Sequence, residues 1–124
     1  MEHIETDILV IGGGSGGLSV AAGAVQMGAR VVLLEGHKMG GDCLNYGCVP
    51  SKALLAAAAV AHGQGGNAAM GVEPGRASID YGKAKDFVAS VIGQIAPHDS
   101  VERFEGLGVT VIEDYGHFIS PTEA

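Results

Sequence analysis

Residues 7–17 read Asp-Ile-Leu-Val-Ile-Gly-Gly-Gly-Ser-Gly-Gly, an apolar run that leads directly into a glycine-rich segment. The length and the branched side chains of Ile8–Ile11 predict a strand that is buried on both faces. Small and apolar residues follow at helical spacing from Leu18 to Met27, and Gly28 is a candidate for the residue that ends this helix. We therefore expect a buried strand, a tight turn and a helix.

The glycines between the strand and the helix match the pattern G-x-G-x-x-G at Gly12, Gly14 and Gly17. In dinucleotide-binding units the first glycine permits the turn, the second lets the backbone approach a pyrophosphate, and the third lets helix and strand pack closely. The phosphates would then meet the N-terminus of the helix, where free N–H groups and the dipole favour anions. A plain glycine-rich turn is the alternative interpretation.

A second apolar run, Val31–Leu34, ends at Glu35. An acid about 20 residues after the glycine turn is typical of units in which a carboxylate binds the ribose hydroxyls of adenosine. The sequence thus predicts an α/β fold of Rossmann type with a parallel sheet. Because both FAD and NAD are bound by this unit, the choice of dinucleotide stays open at this point.

Both cysteines lie in residues 40–52, which read Gly-Gly-Asp-Cys-Leu-Asn-Tyr-Gly-Cys-Val-Pro-Ser-Lys. Pro50 suits the first turn of a helix, so Cys48 should lie at or just before a helix N-terminus, which favours a thiolate. Cys43 is close enough in sequence to resolve that thiol, and Gly47 would let the chain bend to close a small disulfide loop. We interpret the pair as a redox-active dithiol.

Other uses of the two cysteines are less well supported by their spacing. A zinc site would need a second pair or histidine partners, and the nearest histidine, His37, has no second ligand motif beside it. The spacing also excludes a thioredoxin-like C-x-x-C motif. We therefore expect no metal site. A non-catalytic dinucleotide-binding module with structural cysteines remains the main alternative, and a small NAD-dependent dehydrogenase is a weaker one.

After the cysteines the sequence predicts a helix that contains Ala53–His62. Two more helices and a strand are predicted after it. The helix that contains Ala53–His62 is apolar on all sides and should be buried against the N-terminal strand, glycine turn and helix. Glycines then mark a loop as far as Gly75. The remaining predictions are a helix from Ile79 or Asp80 to about Ile95, a short helix to about Glu105 with Asp99 and Glu102 as its capping box, and a strand at Val109–Ile112.

Composition and charge exclude several classes of function. The 124 residues make one domain at most, and 7 Lys and Arg against 14 Asp and Glu give a net charge of −7, which argues against nucleic acid as a partner. We expect no membrane span, since no uncharged apolar run reaches about 18 residues. The acidic N-terminus is unlike a secretory signal, so a cytoplasmic location is expected, where a cysteine pair is more often catalytic than a structural staple.

Residues 12–35 together with residues 40–52 resemble the class I pyridine nucleotide–disulfide oxidoreductases, which include dihydrolipoamide dehydrogenase, glutathione reductase and mercuric reductase. The resemblance extends from about residue 5 to the end of the chain. It implies a Rossmann-type FAD-binding domain, with FAD as the cofactor and NAD(P)H as the co-substrate. It further implies that electrons pass through a Cys43–Cys48 disulfide to a small dithiol or disulfide substrate or to a metal ion.

The resemblance also implies roles for individual residues. Cys43 would be the thiol that meets the substrate, and Cys48 the thiol next to the flavin. Asp42 stands where relatives commonly carry Thr or Val, and its charge should oppose ionisation of Cys43 slightly. Gly116 would contact the adenine through its backbone, or would be a simple turn glycine. The implied FAD-binding residues are Gly12, Gly14, Ser15, Gly16, Gly17, Glu35, Gly36, Gly41, Asp42, Cys43, Lys52 and Gly116.

Finally, the resemblance implies that residues 1–124 are the N-terminal part of an FAD/NAD(P)-binding domain. The NAD domain, the C-terminal dimerisation domain and the His–Glu pair that exchanges protons with the substrate-facing thiol are expected to lie outside these residues. The FAD domain is therefore expected to be incomplete, and the chain alone is not expected to turn over. The whole enzyme is expected to be a homodimer.

Overall fold

The computed structural model describes residues 3–124, which form a three-stranded sheet and five α-helices. Short 3₁₀ turns occur at Ala68–Met70 and Ala96–Asp99. In chain order the elements are β1 (Ile8–Ile11), α1 (Ser15–Gln26), β2 (Val31–Leu34), α2 (Gly41–Asn45), α3 (Cys48–Gly63), α4 (Tyr81–Ile95), α5 (Val101–Leu107) and β3 (Thr110–Ile112).

The three strands are parallel and lie in the order β1-β2-β3. Ile8 pairs with Val31 in β2, and Val32 of the same strand pairs with Thr110 in β3. Parallel neighbours require crossover connections, and α1 supplies the first of these between β1 and β2. The predicted α/β fold with a Rossmann-type parallel sheet is confirmed. Residues 3–124 contribute three strands to it, where the full doubly wound order has six.

The hydrophobic core lies where α1 and α5 pack together over the sheet. Leu33 in the central strand and Phe104 in α5 are its most deeply buried large side chains. Burying a side chain of this size contributes about 1.5–3 kcal/mol relative to leaving it exposed. The buried core residues are Val10, Leu18, Ala21, Val31, Leu33, Phe104 and Val109.

The prediction that β1 is buried on both faces is wrong. Val10 is buried, but Ile11 is 41% exposed and Ile8 is half-buried. Among the described residues β1 pairs with β2 alone, so it forms one edge of the sheet. By contrast, residues Val31–Leu33 of β2, the central strand of the sheet, are all buried.

The prediction that the helix containing Ala53–His62 is buried against the first unit is also wrong. In α3, Leu55 is 67% exposed and Val60 is 71% exposed, whereas Ala53 is buried. α3 packs mainly against α4 and α2. Apolar composition therefore predicted the helix correctly but not the surface it covers.

The segment Gly41–Gly63, which contains α2 and α3, is long and apolar enough to cross a membrane by length and composition. The sequence-based prediction of no membrane span did not anticipate this segment, because Asp42 and Lys52 lie inside it and interrupt any uncharged run. The two helices are separated by a break at Tyr46 and Gly47. Length and composition in a single broken segment are weak evidence for a membrane span.

The predicted capping box at the start of α5 is wrong by one residue. Ser100, not Asp99, is the N-cap: its hydroxyl accepts a hydrogen bond from the backbone N–H of Arg103 at 3.2 Å. Asp99 is already part of the preceding 3₁₀ turn. At α4, Asp80 is the N-cap and accepts from the N–H of Lys83 at 3.1 Å, close to the predicted start of this helix.

Candidate functional site

The glycine turn between β1 and α1 has the geometry that its sequence pattern predicted. Gly12 has a φ of +108°, in the region that favours glycine, and its N–H donates to the carbonyl of Leu34 at 2.7 Å. A Cβ added to Gly17 would overlap the carbonyl oxygen of Gly12. The first glycine therefore makes the turn, and the third lets α1 approach the end of β1.

The N-terminus of α1 is open to an anion. Gly14 is its N-cap, and within residues 3–124 no side chain caps this end and no acid lies in its first turn. Ser15 and Gly16 are exposed there. Because the first N–H groups of a helix have no partner within it, they are available to phosphate oxygens. The pyrophosphate of a dinucleotide fits this helix start by charge and by access.

Glu35 lies at the end of β2 and braces the glycine turn. Its Oε2 accepts a hydrogen bond from the N–H of buried Gly13 at 2.6 Å, and its Oε1 accepts from the N–H of His37 at 2.7 Å. Each carboxylate oxygen can accept more than one hydrogen bond, so Glu35 can also bind hydroxyl groups from outside. The acid is thus fixed beside the turn, half-buried and with acceptor capacity left.

The loop after β3 lies against the end of β2 near Glu35. A Cβ added to Gly36 would overlap the ring of Tyr115, and one added to Gly116 would overlap the side chain of Leu34. Both glycines are therefore needed for close packing between this loop and the end of β2. The structure brings Gly116 to the side of the site where Glu35 lies; contact with an adenine stays a prediction.

The segment that carries the cysteines is attached to the glycine turn through its backbone. The N–H of Gly40 donates to the carbonyl of Gly13 at 2.8 Å. A Cβ added to Gly41 would lie 2.7 Å from the Cα of Gly14, so the two backbones are in direct contact. The side chain of Asn45 stabilises α2, since its amide donates to the carbonyl of Gly41 at 2.9 Å. The two sequence motifs thus form one site.

Within the described chain both cysteines are free thiols. Cys43 is half-buried in α2, and Cys48 is the exposed first residue of α3, as the position of Pro50 predicted. A hydrogen bond with Cys48 raises the pKa of Cys43, partial burial raises it further, and the charge of Lys52 opposes the change. The neighbouring thiol, rather than Asp42, is thus the main influence on Cys43.

Two residues near the cysteines were not recognised as part of the site from the sequence. The Nε2 atom of His37 lies 2.9 Å from the hydroxyl of Tyr46, and their rings are stacked. From the sequence, His37 is a candidate only for a zinc ligand, and no motif includes Tyr46 as a functional residue. In residues 3–124 no group of three or more His, Cys, Asp and Glu side chains is arranged to hold a metal ion.

Comparisons with known proteins agree with this geometry. A family model described as pyridine nucleotide-disulphide oxidoreductase matches residues 6–120. The chain is 35% identical to dihydrolipoyl dehydrogenase of Geobacillus stearothermophilus over 94% of its own length and 24% of the relative's. It is 40% identical to dihydrolipoyl dehydrogenase of Halobacterium salinarum over 91% of its length and 23% of the relative's. The chain therefore spans about a quarter of the length of these curated relatives.

Proposed function

The chain belongs to the pyridine nucleotide-disulphide oxidoreductase family, and we propose that it is the N-terminal, FAD-binding part of a flavoprotein of the dihydrolipoyl dehydrogenase type. This type of flavoprotein is supported by the names of its relatives, which are dihydrolipoyl dehydrogenases. Residues 1–124 would be part of the FAD/NAD(P)-binding domain. The NAD domain and the dimerisation domain of the whole enzyme would lie outside them.

The observation that carries the proposal is the backbone contact between the glycine turn and the start of α2. The hydrogen bond from Gly40 to Gly13 and the contact of Gly41 with Gly14 join the glycine turn to α2, which carries Cys43. A cofactor whose phosphates lie at the turn would therefore extend towards the cysteines. A nucleotide-binding module with structural cysteines would not need the exposed thiol of Cys48.

The proposed FAD site uses each of these features. The uncapped start of α1 would bind the pyrophosphate, and Glu35 would bind the adenosine ribose. When bound, FAD supplies the hydride chemistry that links NAD(P)H to the dithiol. The remaining residues of the proposed site are Gly12, Gly14, Ser15, Gly16, Gly17, Gly36, Gly41, Asp42, Cys43, Lys52 and Gly116.

Cys43 and Cys48 would perform the exchange with the substrate. The reduced Cys43–Cys48 pair would give two electrons and two protons to a substrate disulfide, so the substrate becomes a dithiol and the two cysteines become a disulfide. Cys43 would make the mixed disulfide with the substrate and release the first substrate thiol, and Cys48, whose thiolate is favoured at the start of α3, would then attack Cys43 and release the second substrate thiol. We propose that the whole enzyme works in this way as a cytoplasmic homodimer.

The test of the proposal is whether the purified chain binds FAD at the glycine turn. The chain is incubated with FAD, freed of unbound flavin and examined by visible absorption, and ADP is then added as a competitor. We expect bound flavin that ADP displaces, because the turn would recognise the ADP half. A colourless protein, or a flavin that ADP cannot displace, would contradict the assignment of the site.

Substitution at Glu35 tests the ribose contact. In Glu35→Gln the loss of a charge-assisted hydrogen bond should weaken FAD binding by about 1.5–3 kcal/mol, which is roughly a tenfold to hundredfold increase in Kd. Glu105→Gln, which changes an exposed acid in α5, is the matched control and should leave Kd unchanged. Equal affinities of the two variants, measured by flavin fluorescence, would remove Glu35 from the site.

A further inference from the structure

His37 and Tyr46 connect two parts of the site through their side chains: the nucleotide arm, which is the glycine turn with Glu35, and the segment that carries the cysteines. The Nε2 atom of His37 and the hydroxyl of Tyr46 are 2.9 Å apart, and the two rings stack with a centroid distance of 6.0 Å and an interplanar angle of 15°. The Nζ atom of Lys38 lies 5.4 Å from the centre of the Tyr46 ring. We name the His37–Tyr46 pair the clamp. It bridges the loop after β2 and the corner between α2 and α3.

One end of the clamp is fixed to the nucleotide arm of the site. The backbone N–H of His37 donates to Oε1 of Glu35 at 2.7 Å, while Oε2 of the same carboxylate accepts from Gly13. Two hydrogen bonds therefore hold Glu35 between the glycine turn and His37. A change in the position of Glu35 would therefore also move the backbone of His37, to which Glu35 is hydrogen-bonded.

The other end of the clamp is the corner on which the distance between the two thiols depends. Tyr46 is the C-cap of α2, where its N–H donates to the carbonyl of Asp42 at 2.9 Å, and Cys48 begins α3 only two residues later. Cys43 lies on one side of this corner and Cys48 on the other. The side chain of Tyr46 therefore restrains the segment that must keep its shape for the two sulfur atoms to meet.

We propose that the clamp is a positioning device that favours the Cys43–Cys48 disulfide by holding this corner in place. The inference rests on the proposed function, in which the two cysteines are the redox pair. A restrained corner raises the effective concentration of one thiol at the other, so closing the disulfide loses less chain entropy. His37 and Tyr46 are positioning residues, because they act through the corner and through Glu35.

The first test removes the hydroxyl of Tyr46 and keeps its ring. The cofactor-free chain is equilibrated in glutathione buffers, in which two protein thiols give two electrons and two protons to glutathione disulfide and yield two glutathione thiols. The oxidised fraction is read by alkylation and mass spectrometry. In Tyr46→Phe we expect the equilibrium constant for disulfide formation to fall roughly two- to fivefold, as for one partly exposed hydrogen bond.

Tyr81→Phe is the matched control for this substitution. Within the described residues the hydroxyl of Tyr81 makes no hydrogen bond, although Tyr81 is exposed to a similar extent as Tyr46, at 62% against 57%. Its equilibrium constant should equal that of the unaltered chain. An equal constant in Tyr46→Phe and Tyr81→Phe would overturn the role of the clamp.

A double-mutant cycle tests whether the effect runs through Glu35. Glu35→Gln alone should lower the same equilibrium constant, and its effect should become smaller in the Tyr46→Phe background, because both substitutions release the same corner. Fully additive effects would overturn the linkage. If the unaltered chain never forms the Cys43–Cys48 disulfide, the proposed function fails; if the disulfide forms but the variants leave it unchanged, only the clamp fails.

Discussion

Replacing Gly41 by alanine should force α2, which carries Cys43, away from the glycine turn. The added Cβ would lie 2.7 Å from the Cα of Gly14 and 3.3 Å from its nitrogen, and both neighbours are backbone atoms that cannot rotate away. Gly41 also has a φ of +60°, where alanine is strained. Relief therefore requires movement of the α2 backbone relative to the turn, which is the contact that joins the two halves of the site.

The expected loss of stability has two parts that can be separated. A left-handed backbone costs about 1–2 kcal/mol for a residue with a Cβ. Overpacking against neighbours that cannot yield costs about a further 1–3 kcal/mol, so Gly41→Ala should lose about 2–5 kcal/mol in total. Gly28→Ala is the matched control, because Gly28 has a φ of +91° and nothing within 4 Å of an added Cβ. It should lose the first part alone.

Urea unfolding of the two variants and the unaltered chain measures both parts. The difference between the variants should be about 1–3 kcal/mol, and FAD binding should weaken in Gly41→Ala but not in Gly28→Ala. If Gly41→Ala proves no less stable than Gly28→Ala, the backbone contact with Gly14 is not tight. The glycine turn and α2 would then not be held together as one site.

Two further predictions concern titratable groups. Hydrogen bonds from the Arg30 side chain and backbone lower the pKa of Asp7 from 3.8 to about 2. A carboxyl group with a lowered pKa stabilises the fold while it is ionised, and this stabilisation is lost as the pH falls through the pKa of the folded state. Asp7→Asn should therefore flatten the decrease in the urea midpoint between about pH 4 and pH 2. Parallel curves for the variant and the unaltered chain would contradict this. Cys48→Ala should lower the pKa of Cys43 towards its ordinary value and so speed the alkylation of Cys43 by iodoacetamide near neutral pH. Mass spectrometry follows the rate. A slower or unchanged rate would show that Cys48 does not raise the pKa of Cys43.

The glycine turn could be predicted in detail because its requirements are local. A tight turn after a strand needs a positive φ at Gly12, and close packing of the next helix needs no side chain at Gly17. Both constraints involve residues separated by a few positions, so the sequence pattern contains them directly. The position of Cys48 at the start of α3 was predictable for the same reason, since Pro50 marks a first helical turn.

The contacts that unite the site could not be predicted, because they join distant residues through backbone atoms or isolated side chains. The hydrogen bond from Gly40 to Gly13 leaves no mark on residue type beyond the glycines themselves. His37 and Tyr46 meet only because Glu35 and the corner after α2 bring their loops together. A lone histidine and a lone tyrosine carry no spacing signal, so only the fold identifies the clamp.

The error at α3 has a different physical origin. A helix that is apolar on all sides is expected to be buried, since that much apolar surface is unfavourable in water. Within residues 3–124 mainly α4 and α2 pack against α3, and Leu55 and Val60 remain largely exposed. The pattern measures how much apolar surface a helix carries and says nothing about what covers it.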